Sequence, residues 1–275
     1  MIRKLISLLV LIFSGQYVLS AQEDDGRRII LDTARYVVKY ELAFVPDSVK
    51  GKPIIKYETN LEVGERISRC NIKNSEISEL NYLKWSNWDR EPQFRFPNYE
   101  PGIDNVYIGY PRKDKMTVTM NLECAGGLKY EENVPKLDWV LSDETRTVGG
   151  HQCRKAECDF RGRSYEVWYA PDIPISLGPW KLGGLPGLIL EASDSTKQFV
   201  FSFKGIESVA DTVVPISMLT RNYRKMSRKK CSSYRARMFR TPATFYNALG
   251  VVPSTMRIIA PKGGYPYNPI EKEED

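Results

Sequence analysis

A single histidine, His151, stands among 275 residues, and that scarcity excludes much. Any Ser–His–Asp or Cys–His catalytic arrangement would have to be built on it, beside the Gly149-Gly150 pair. There is no G-x-S-x-G elbow, no H-E-x-x-H zinc motif and no phosphate loop of the G-x-x-x-x-G-K-S/T type. The glycines of "GGLPG" (Gly183 to Gly187) lack phosphate-loop spacing, and they open a strand where that loop would open a helix. Long apolar runs are missing too. The stretch from Leu5 to Phe13 is too short to span a bilayer, and nothing later is long and apolar enough. A hydrolase therefore ranks last among the readings, and no transmembrane segment is expected.

The first residues are informative. Arg3 and Lys4, the apolar run, and the small residues Ser20 and Ala21 form a secretory signal peptide over 1–21, cleaved after Ala21. Export to the periplasm, or association with the outer membrane, follows. Losing Arg3 and Lys4 takes the net charge from +6 to about +4, too mild an excess to argue for nucleic acid. The five cysteines, Cys70, Cys124, Cys153, Cys158 and Cys231, all lie in the mature part. An oxidising compartment would let them form two disulfides and leave one free thiol, with the pairing open. On one regular strand Cys153 and Cys158 would face opposite sides, so pairing them needs a bulge or turn.

From Ala34 to Glu207 the texture is that of short strands. Val-, Tyr- and Phe-rich segments alternate partially and are punctuated by Lys50-Gly51, Pro111 to Lys115, Ser142-Asp143, Gly149-Gly150 and Arg161-Gly162. No βαβ alternation is present. The pattern predicts a mainly β protein built on a curved antiparallel sheet, an open or half barrel, with a C-terminal helical segment. A single β-rich domain over 22–260 is expected, with the helical part at about 214–249 and an extended or flexible tail over 261–275. The basic stretch 221–240 has no acidic residue, so it reads either as a solvated helix face or as a surface for an acidic partner or lipid phosphates.

Two constellations could carry function. His151 and Cys153 are two residues apart, share a strand face, and are suitable ligands for Cu or Zn, although Cys158 falls on the other face. Without such a metal no cofactor is expected. The aromatics Trp85, Trp88, Phe94, Phe96 and Tyr99 could grip a glycan or peptide, or plug the core under a long loop.

The run "VGGHQCRKAECDFRGRSYEVWYAPDIPISLGPWKLGGLPGLILEASD" (Val148 to Asp194) and the closing "YNPIE" (Tyr267 to Glu271) resemble the GLPGLI family of secreted Bacteroidota proteins, named after the hexapeptide Gly184 to Ile189. The resemblance implies no established activity and no catalytic residues. It implies an accessory role beside a TonB-dependent outer-membrane receptor or another envelope protein. Relatives often carry an aromatic residue where His151 stands, which weakens it as a family ligand.

Physically, Pro186 and Gly187 specify a type II turn, with Gly187 at positive φ. Leu185, Leu188 and the apolar residues after them would pin that turn against a sheet. Trp180, Leu185, Pro186, Gly187 and Leu188 then form a structural or docking loop. The leading expectation is a non-catalytic accessory or binding protein, holding an apolar or peptide ligand or docking to an envelope partner. Metal binding by His151 and Cys153 is the alternative, and a lipid-carrier-like protein is the second, by analogy of fold alone.

Overall fold

The structure is a computed structural model. It describes residues 28–51, 53–73, 93–95, 102–122, 126–250 and 257–272. The segment 1–21 read as a signal peptide, Cys124, Trp85, Trp88, Phe96 and Tyr99 lie outside these residues, as does the side chain of Phe94. Fifteen strands and two helices are present among them: β1 (Arg28–Phe44), β2 (Ile55–Gly64), β3 (Ser68–Ile72), β4 (Gln93–Arg95), β5 (Asn105–Ile108), β6 (Lys115–Leu122), β7 (Gly126–Asn133), β8 (Val140–Val148), β9 (His151–Phe160), β10 (Arg163–Ala170), β11 (Leu188–Asp194), β12 (Phe199–Ser208), β13 (Pro215–Leu219), β14 (Tyr223–Lys225), α1 (Arg228–Arg240), α2 (Pro242–Leu249) and β15 (Arg257–Ile259).

Thirteen strands form one open sheet in the order β14-β7-β6-β5-β3-β2-β1-β12-β11-β10-β9-β8, with β13 paired to β1; β15 and β4 form a separate pair. Its pairings are antiparallel except β14 with β7. β8, β9 and β10 meet through two-residue hairpins because their turns are encoded locally. Gly149 and Gly150 both have positive φ, as do Arg161 and Gly162. Two such residues in a two-residue loop match the right-handed twist of the flanking strands. The expected turn at Ser142-Asp143 is instead a register shift inside β8, between Leu141 and Thr145.

One core draws on both arms of the sheet. Met116, Val118, Met120 and Tyr130 come from β6 and β7, Tyr165, Val167 and Tyr169 from β10, and Phe239, Phe245 and Tyr246 from the helices. The sheet must curl to bring these together. A second cluster, with Val38, Tyr40, Cys153, Trp168, Leu188 and Leu190, lies on the other face of β9–β11. Those strands contribute buried residues to both faces, and Cys153 and Cys158 fall into different clusters. The alternation read from sequence holds, and it keeps the two thiols apart.

The helical segment starts later than expected. Residues 215–219 pair with β1, and 223–225 pair with β7. Ile216 to Leu219 are all buried, and an apolar run covered on both faces shows no period by which strand and helix could be told apart. Helix α1 then opens at Ser227, whose hydroxyl accepts from the Lys230 amide at 3.3 Å. Among the described residues no helix is long and apolar enough to cross a membrane.

Candidate functional site

Two motifs far apart in the chain, the glycine-rich loop and the C-terminal "YNPIE", meet in a buried network of charge. The link is Lys181, which sequence reasoning passed over. Its side chain is 1% exposed. Its Nζ lies 2.7 Å from Glu132 Oε1, 2.5 Å from Glu271 Oε1 and 2.9 Å from the Tyr130 hydroxyl. Arg161 adds a bond to Glu132 at 2.7 Å, and Arg228 of α1 reaches Glu271 at 3.1 Å. Three cations thus hold two carboxylates. Burial alone would raise the Glu271 pKa, but Lys181, Arg228 and Arg161 outweigh it and hold it below the usual carboxylate value of 4.5. Beside the network, Arg235 of α1 pairs with Asp104, whose carboxyl burial pushes up in spite of that guanidinium.

Asp104, Tyr130, Trp180, Lys181, Arg235 and Glu271 line the recess between these groups. Its volume of about 20 Å³ has room for roughly one water molecule. The network is therefore a fastening. It ties β7, the loop, α1 and the tail together, and its charges are spent on one another. A lone Lys set in "GPWKLGGLPG" was the available signal, since a buried ammonium demands a carboxylate partner.

A second buried tie works beside it. Arg163, 5% exposed, donates to Asp194 at 2.9 Å, to the Asn268 side chain at 2.7 Å and to the Pro269 carbonyl at 2.6 Å. Asn268 in turn donates to the Val45 carbonyl at 2.7 Å. The tail over 267–271 is therefore docked, with Asn268, Ile270 and Glu271 all buried.

The loop residues singled out from sequence divide. Trp180, Leu185 and Leu188 are at most 2% exposed, so their side chains serve the core, while Pro186 is exposed. Trp180 packs against Phe160 with the rings tilted and their centroids 5.5 Å apart, and its amide donates to the Cys70 sulfur at 3.1 Å. The expected type II turn is not formed. Gly187 does not have positive φ; Gly184 has, at +89°. Gly187 is needed for a different reason. It runs straight into β11 against the 170–171 backbone, and an added Cβ would lie 2.2 Å from the Ala170 carbonyl oxygen. Close approach requires glycine here as firmly as a left-handed turn would.

His151 and Cys153 share β9 as expected, but each has its own engagement. His151 Nδ1 lies 2.7 Å from Asp172 Oδ2, and the ring meets Phe203 edge-on. That hydrogen bond holds the Asp172 carboxyl below its usual range. Cys153 is fully buried, with its thiol donating to the His151 carbonyl at 3.6 Å. Among the described residues no group of three or more His, Cys, Asp or Glu could hold a metal ion.

The disulfide expectation is corrected for four of the cysteines. Cys70, Cys153, Cys158 and Cys231 are free and buried, each packed into a hydrophobic cluster. Burial pushes Cys70 and Cys158 up to about 12, and Cys153 and Cys231 to about 11. Less than about one part in a thousand of thiols held there is ionised at neutral pH, so these four are poor nucleophiles. In a Cys124→Ser background these four should resist maleimide in the native state and all react in denaturant. A thiol counted as fast in the native protein would refute their packing.

Fold and site together define a class: a mainly β, open antiparallel sheet protein, closed on one side by C-terminal helices and fastened by a buried ion network. Residues 117–229, from β6 into α1, match a family described as "N-glycanase peptide, N-terminal domain". Two solved structures of PNGF-II, in space groups C2 and P21, are similar at 16% and 17% identity, each with a TM-score of 0.47. The alignments cover 74% of this chain and 32% of those chains, so the chain spans about a third of their length. No curated protein matches.

Proposed function

We propose that the chain is an exported, non-catalytic accessory module that engages an envelope protein by strand addition at β8. One observation carries this reading. Val140 and Leu141 are 69% and 60% exposed on the strand that ends the described sheet. An open edge offers backbone donors and acceptors to an extended segment, and exposed apolar neighbours add affinity. The edge is held to the motif loop, because the Trp139 indole donates to the Gly183 carbonyl at 2.9 Å. The hexapeptide and its flanks thereby stiffen a docking edge from beneath.

The resemblance to secreted accessory proteins supports a partner in the envelope, a TonB-dependent receptor among the candidates. The match to a domain named as the N-terminal part of an N-glycanase supports a module that works beside a catalytic one, on glycosylated partners.

A photo-crosslinking residue placed at Leu141 tests this in cells. One discrete envelope protein should be captured there, and none from Val49, which is 94% exposed but lies outside the sheet. Equal capture from both positions, or none from either, would overturn the reading. Cleavage of a glycopeptide by the purified mature chain would overturn the non-catalytic part.

A further inference from the structure

The basic stretch 221–240 holds nine Lys and Arg residues and no acid. The fold sorts them into two sets. Arg228 and Arg235 turn inward to Glu271 and Asp104, and Lys225 pairs with Glu131 at 3.0 Å. Arg221 stacks on Tyr223, and Arg240 lies over Tyr267 while staying exposed. Arg224, Lys229, Lys230 and Arg237 are exposed and have no acidic partner among the described residues. Among the described residues, the nearby carboxylates Asp104, Glu131, Glu132 and Glu271 are already engaged by Arg235, Lys225 and Arg228.

Lys229, Lys230, Arg237 and Arg240 fall on the solvent side of one helix. Their spacing puts Lys229 and Arg237 about 12 Å apart along its axis, little beyond a Debye length, so the charges act as one patch. Nothing among the described residues accounts for them. Lys229 and Lys230 also sit in the first helical turn, which contains no acid, and cations there oppose the helix dipole.

We propose that this face of α1 docks on an anionic phospholipid surface. Three features select a membrane over an acidic protein. The cations stand on an exposed helix side, and none of them lines the recess beside Lys181. Half of those without an acidic partner are lysines, which protein interfaces deplete. A cluster of this size without apolar anchors suits diffuse attraction to a headgroup plane. The surface lies at the β14–β7 end of the sheet, the opposite end of the strand order from β8. It therefore stands or falls independently of the proposed docking edge.

The test is flotation of the mature chain with vesicles of phosphatidylglycerol in phosphatidylcholine, and with phosphatidylcholine alone. Binding to the anionic vesicles only is expected, and it should be lost on raising the salt concentration. Each neutralised charge should weaken it about fivefold, so Lys229→Gln, Lys230→Gln and Arg237→Gln together should weaken it about a hundredfold. These exposed positions should not lower the melting temperature, and relief of the helix dipole should raise it slightly if at all, which the same samples verify. Equal binding by wild type and triple variant would overturn the proposal, as would binding to neutral vesicles. Retention on soluble polyaspartate without vesicle binding would overturn it in favour of an acidic protein partner.

Discussion

Lys181→Met should lower stability by about 3 kcal/mol, at the low end of the range for breaking a buried ion pair. For a chain of this size that corresponds to a melting temperature roughly 6–12 °C lower. The low end applies because Arg161 and Arg228 remain to face Glu132 and Glu271, leaving two cations for two carboxylates. Glu271→Gln should do more harm than that balance suggests. Lys181, with a side chain only 1% exposed, would then keep Glu132 as its one carboxylate partner, with the Tyr130 hydroxyl beside it. The double variant should cost less than the sum of the singles, because both remove the same contact. Additive losses would show that the two groups do not act as one unit.

The same network gives a signed pH dependence. In the native protein Glu271 titrates below its unfolded value of 4.5, so it contributes stability above that pH and loses it as the solution is acidified through the folded pKa. Without Lys181 the largest attraction opposing burial is gone, and the Glu271 pKa should rise. The variant then loses less on acidification than the native chain. The gap in melting temperature should be widest near neutral pH and narrow as pH falls towards 4.5 and below. Asp104 acts in the same direction: Lys181 is among the charges that lower its burial-raised pKa, so removing Lys181 raises it further and again narrows the gap on acidification. A gap that stays constant with pH would mean that Lys181 acts through packing alone.

What the sequence made legible was local. The hairpins at Gly149-Gly150 and Arg161-Gly162 declare themselves because a two-residue turn needs positive φ at both positions. The opposite facing of Cys153 and Cys158 follows from strand alternation on a regular β9. Strands 215–219 and 223–225 were hidden because the first is buried from Ile216 onward and the second is short, basic and paired with β7. The ion network was hidden for a different reason. Whether Lys181 meets Glu132 and Glu271 depends on how far the sheet curls, and no local pattern encodes that. The thiols looked like disulfide material from their count and compartment. The fold spends them as small apolar fillers in two separate clusters.

Gly187→Ala should be the most damaging single-methyl change in the loop. The new Cβ would lie 2.2 Å from the Ala170 carbonyl oxygen, 2.7 Å from its carbon and 2.9 Å from the Pro171 Cα. All three are backbone atoms in or just after β10, which pairs with β11, so no side-chain rotation relieves the contact. Either the two strands separate or the loop leaves its seat, taking Leu185 and Leu188 out of their clusters. A loss above about 4 kcal/mol is expected, the exceptional end of single substitutions. Gly184→Ala is the internal control. It has the positive φ that the turn reading assigned to Gly187, and its nearest neighbour, the Trp139 indole nitrogen, is 3.9 Å from an added Cβ. Only backbone strain of about 1–3 kcal/mol is then at stake. Urea melts, or protease resistance in cell extracts if Gly187→Ala does not accumulate, should rank Gly187→Ala well below Gly184→Ala. The reverse order would mean that the hexapeptide is a turn signal after all. The observed order would make its last glycine a contact requirement, imposed by a strand that passes too close for any side chain.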